Sequence, residues 1–220
     1  MRDAGKALRE SERRAEEHRK KCAPFNKITL AVVRATEQCT NRIAPFIKGP
    51  NPEQRKALVE AQFLFFFLQL CDRKAFSTLQ PEQVGKLHAI ISPEVFGATV
   101  DAHFLHAPAE MKKEIRSALY KGLKEAAIDY DSSTEWLSKN EPYTGNSLLS
   151  KLLRRVMKEI GGEADAKLMI EVIKAATDAL DNSGLPVLIE AIKPLIDDFE
   201  IFEYEPWDDP GYERRLRGLR

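Results

Sequence analysis

Cysteine is scarce in this chain and widely spaced. Cys22, Cys39 and Cys71 are odd in number and form no CxxC pair. That spacing argues against structural zinc. Three reduced thiols fit a cytoplasmic protein. An excess of one charge is missing too. Lys plus Arg and Asp plus Glu both number 34, for a net charge of zero. Bulk nucleic-acid binding draws on a basic excess, so nucleic acid is not the expected partner.

Long apolar runs are absent. The longest, residues 63–68, has six residues. A membrane-spanning helix needs about 20 predominantly apolar residues, so no transmembrane segment is expected. The first 21 residues, MRDAGKALRESERRAEEHRKK, have no apolar core and do not read as a secretory signal. Catalytic signatures are missing as well. There is no HExxH, GxSxG, P-loop or GxGxxG, and the paired Glu-x-x-His signature of di-iron bundles is absent. No catalytic residue, metal site or cofactor is therefore assigned. No repeat at a solenoid period occurs, and only Ile201-Phe202-Glu203-Tyr204 alternates like a strand.

The rest of the chain reads as helix almost throughout. With 43% hydrophobic and 31% charged residues, it has the balance of a globular protein. Residues 2–21 are strong helix formers without a core stripe, and Pro24 separates them from the next helix. Ile28, Val32, Ala35, Cys39 and Ile43 mark that helix as amphipathic over 25–47. Pro52 opens a second helix to Phe76 or Leu79, and Pro81 a third through Ile91. Ser92-Pro93-Glu94 is expected to break that third helix and restart a short one to about His106. Another runs from Pro108 to about Ile128. A long polar connection spans 129–146, with one helical turn around Trp136. Three more helices cover about 147–160, 164–180 and 186–199. The expected fold is a single all-α, bundle-like domain of seven or eight helices over 23–200. A charged helical extension (1–22) precedes it, and a tail (201–220) comes after it.

The most apolar stretch is FLFFFLQLCDRKAF, residues 63–76. At about 100° per residue its apolar side chains point almost all round, which predicts a buried central helix near 52–78. Gln62, Gln69 and Arg73 form its one polar stripe, and Arg73 is free to reach solvent along it. Asp72 falls on the apolar side with Leu58, Ala61, Phe65, Leu68, Phe76 and Leu79. A buried carboxylate is normally paired, so a Lys, an Arg or a helix N-terminus is its expected partner. Otherwise Asp72 lines an internal ligand site with Gln69, Arg73, His88 and His103. His88, His103, His106 and Asp101 have ligand chemistry but no metal-binding spacing.

Two further groups stand out. Lys151, Arg154, Arg155 and Lys158 make a basic ridge behind a Thr144-Gly145-Asn146-Ser147 capping segment, where free N–H groups would suit an anion. The plain alternative is a solvated charged face. In the tail, Phe202, Tyr204, Trp207 and Tyr212 are typical interface anchors. The expected function is a non-catalytic cytoplasmic interaction module that binds a protein partner or a second copy of itself. The alternative is an enzyme, or a binder of a small ligand or metal, with a pocket lined by Asp72 and histidines.

Overall fold

The computed structural model describes residues 2–133, 135–136, 145–161 and 165–197, with the backbone alone over 2–21. Seven α-helices and no strand occur among them. They are α1 (Arg2–Ile43), α2 (Pro52–Phe76), α3 (Pro81–His103), α4 (Ala109–Asp131), α5 (Leu148–Ile160), α6 (Ala166–Ser183) and α7 (Leu185–Ile192). This is the expected all-α bundle.

Local chemistry explains most of the boundaries. Asn51 adopts a left-handed φ of 56° and Pro52 starts α2, a position where a missing N–H costs nothing. Gln83 accepts the Gln80 backbone N–H at 3.0 Å ahead of Pro81 and α3. Ser147 and Asp165 cap α5 and α6 through their side-chain oxygens. Gly184, at φ 64°, ends α6 and starts α7 at once.

Two prolines do not break the chain where local rules expect it. Pro24 lies inside α1 and Pro93 inside α3, so the expected restart after Ser92 does not occur. An interior proline costs a helix about 3 kcal/mol. Packing on both sides offsets it. Phe25 and Ile28 are buried beside Pro24, and Ile91, Val95 and Phe96 beside Pro93. Fully burying such side chains stabilises by about 1.5–3 kcal/mol each. Two other boundaries shift. The helix expected to end near Ile128 runs to Asp131, and the last one stops at Ile192.

The phenylalanine-rich helix α2 packs against α1, α3, α4, α5 and α7. Phe63, Leu64, Phe66 and Phe67 are completely buried. Phe66 meets Phe67, Tyr130 and Trp136 at ring-centroid distances of 5.6, 5.9 and 5.7 Å. Its supposed apolar face is not uniform, because Leu58 and Phe76 are exposed near the two ends. On α4, Gly122 lets the helices approach closely. A Cβ there would lie 2.7 Å from Phe65 Cζ.

That contact makes a simple test. Gly122→Ala raises helix propensity by about 1 kcal/mol but overpacks the α2–α4 contact by about 1–3 kcal/mol. We expect a net loss of stability in urea denaturation, partly recovered when Phe65→Leu is added.

Candidate functional site

The polar stripe of α2 faces its neighbours and not solvent. Gln62 and Gln69 are buried. Gln62 takes a hydrogen bond from Arg155 Nε at 2.8 Å, and Gln69 donates to Asp131 Oδ1 at 2.9 Å. Arg73 does not reach freely into water. Its Nη2 donates to the backbone carbonyls of Tyr130 and Ser133, at 2.6 and 2.8 Å. These carbonyls belong to the last turn of α4 and the residues just beyond it.

Every helix leaves its last carbonyls without intrahelical donors and carries partial negative charge there. In α4 two aspartates, Asp129 and Asp131, add to that charge. No glycine comes next to form a left-handed cap. Ser133 N–H and Ser132 Oγ donate to the Tyr130 and Asp129 carbonyls, and cations from elsewhere add further donors. Lys151, buried on α5, donates to the Asp129 carbonyl and to Ser132 Oγ. Its Nζ also lies 3.7 Å from the Asp129 carboxylate, as does Arg155 Nη1. Arg155 further sits over the ring of buried Tyr130, 5.9 Å from its centroid. Burial pushes the Tyr130 phenol up, so it stays neutral.

The basic ridge is therefore divided. Lys151 and Arg155 turn inward, while Arg154 and Lys158 are turned outward and Arg154 donates to the Gly145 carbonyl at 3.0 Å. The N–H groups behind the anion expectation are also engaged. Leu148 and Leu149 donate to the carbonyls of Glu135 and Trp136, and Ser150 to Ser147 Oγ.

Asp72 has a partner, and it is neither Lys, Arg nor a helix N-terminus. His88 Nδ1 on α3 lies 3.1 and 3.2 Å from its two carboxylate oxygens. Ser92 Oγ lies 3.3 Å from His88 Nε2. With the carboxylate accepting from Nδ1–H, a neutral ring presents Nε2 as an acceptor to the serine hydroxyl. The order carboxylate, imidazole, hydroxyl is the one used by serine hydrolases. The hydrogen bond to Asp72 raises the His88 pKa above its usual value, against the opposing effect of burial. Ser92, however, is 1% exposed and lies in the middle of a helix. The backbone N–H groups around it belong to the helix ladder, so they do not offer an oxyanion hole.

The five residues expected to form one lining thus divide. Asp72 and His88 meet. Gln69 and Arg73 turn to the end of α4. His103 pairs with Glu60 of α2, Nε2 to Oε1 at 2.8 Å. Nearby in sequence, Asp101 takes a bond from buried Lys112 at 2.9 Å. Among the described residues, no three His, Cys, Asp or Glu side chains gather as a metal site would require. Cys39 and Cys71 are buried, and burial pushes the Cys39 thiol up to about 12. Phe202, Tyr204, Trp207 and Tyr212 lie outside the described residues. No described helix is long and apolar enough to cross a membrane.

Ser92, Glu60, Asp129 and Tyr130 were not evident from sequence. His88 and Ser92 are spaced i, i+4, a signal that the helix break expected at Ser92-Pro93 concealed. Nothing local marks the other three. No known protein-family model, curated protein or solved structure matches the chain.

The capped end of α4 can be tested on α5 alone. Lys151→Met should cost about 2–3 kcal/mol in urea denaturation, since hydrogen bonds to a charged group are lost. Lys158→Met, turned outward on the same helix, should change stability by less than about 0.5 kcal/mol.

Proposed function

We propose that the chain is a non-catalytic helical interaction module that works through protein–protein contacts. The observation that carries this reading is the corner between α3 and α4. Phe104, Leu105 and Met111 are 37%, 52% and 48% exposed within residues 104–111. Scattered exposed apolar residues are ordinary, but a local group of them marks a contact surface. The corner is braced from both sides, by His103 on Glu60 and by Lys112 on Asp101. A rigid surface loses less entropy when it binds. Most of the polar candidates elsewhere are engaged in internal contacts, which also favours a binding role over chemistry.

A photo-crosslinking residue at position 105 of the full chain tests this in the producing cells. The expected result is one discrete adduct, identified by mass as a second copy or one other protein. It should be absent from a probe at exposed Lys124, and lost on adding Phe104→Ser and Met111→Ser with the thermal midpoint unchanged. Equal adducts from both positions, or none from 105, would reject the corner as a contact surface.

A hydrolase is the second reading, and the Asp72–His88–Ser92 order is what favours it. It requires Ser92 to become accessible. A fluorophosphonate probe that labels the wild type but not Ser92→Ala would support it. The buried hydroxyl leads us to expect no labelling.

A further inference from the structure

We infer that α3 carries a proton-operated hinge at residues 88–93, in which His88 clamps the helix across the backbone bond that Pro93 cannot make. Pro93 has no N–H, so the Ala89 carbonyl, one turn earlier, loses its usual intrahelical donor. The ladder of α3 is weakest at that step. A side-chain link runs beside the gap, one residue over, from Ser92 Oγ to His88 Nε2 at 3.3 Å. From the same ring, Nδ1 reaches Asp72 of α2 at 3.1 Å. One imidazole thus spans the weak turn and ties it to the central helix.

The clamp depends on charge. When His88 is protonated, both ring nitrogens donate, one to a carboxylate and one to the Ser92 oxygen. Charge-assisted bonds are roughly twice as strong as neutral ones. When the ring is neutral, the ion pair is gone and Ser92 must supply the second proton. Asp72 is the one ionic partner of His88 among the described residues, and the charge that acts on it. Beside Asp72, α2 places the buried thiol of Cys71. From α1, Arg42 is held by Glu171 and Asp178. On α4, Lys112 and Arg116 face Asp101.

The direction comes from the raised affinity of His88 for its proton in the folded chain. The added stability is fully present below the ordinary histidine value of about 6.5. It is lost as pH rises through the higher folded value. The hinge is therefore tight in acid and looser in alkali.

Hydrogen exchange of the full chain from pH 5.5 to 8.5, corrected for intrinsic rates, reads the hinge directly. Opening of amides in 90–97 should increase about threefold to tenfold across that range, while α6 amides stay constant. His88→Gln and Asp72→Asn should remove the pH dependence and open as the wild type does in alkali. In the wild type, the amide transition should share its midpoint with the His88 ring, followed by NMR. That last comparison holds even if a variant fails to fold. A flat wild-type profile, a pH effect that survives in His88→Gln, or unequal midpoints would overturn the hinge.

Discussion

The carboxyl ends of two helices in this bundle are closed by cations from other helices, and the arrangement of α2, α4 and α5 depends on it. Arg73 of α2 and Lys151 of α5 supply donors to the last carbonyls of α4. Arg55, near the other end of α2, does the same for α5, reaching the carbonyls of Glu159 and Ile160 at 3.2 and 2.8 Å. Its guanidinium occupies the space where a side chain on Gly161 would begin, 1.9 Å from a notional Cβ. Such contacts are directional, unlike apolar burial. They require each helix end to stop at a set height beside α2. Apolar side chains from all seven helices supply the burial, and the cations set the register.

This gives the buried polar groups of α2 a common meaning. Gln62, Gln69 and Arg73 are not the wet side of an amphipathic helix. They form a hydrogen-bonded seam between α2 and the α4–α5 pair, in which Arg73 Nε stays buried without a partner among the described residues. Removing one member leaves others buried and unpaired, which costs more than the bond contributes when intact. A second polar join, on the α3 side, uses two histidine–carboxylate pairs, His88 with Asp72 and His103 with Glu60. Of the two joins, only this one contains histidine.

Fold class and the centrality of α2 were legible because they rest on periodicity, which is local. The failures were local too. Pro24 and Pro93 carry a real local penalty, and a rule that reads only neighbours must stop a helix there. The burial of Phe25, Ile91, Val95 and Phe96 outweighs it, but burial is decided by partners distant in sequence. The error at Pro93 had a chemical consequence. By dividing α3, it hid the i, i+4 relation between His88 and Ser92. The basic ridge shows the converse. Lys151, Arg154, Arg155 and Lys158 share one helix and one charge, yet two point inward and two outward.

An all-helical chain with its most apolar helix at the centre follows from the order of residues alone, because hydrophobic period and helix propensity are properties of neighbouring residues. The need of Asp72 for a partner follows in the same way, because a charge on an apolar face is costly wherever the chain folds. That the partner is His88, that Arg73 closes α4 and that Lys151 is buried follow instead from how the helices pack. Those outcomes depend on which helix ends come within hydrogen-bonding reach of which side chains. Residues 16 to 60 positions apart in sequence meet there, and no local pattern encodes which of them will.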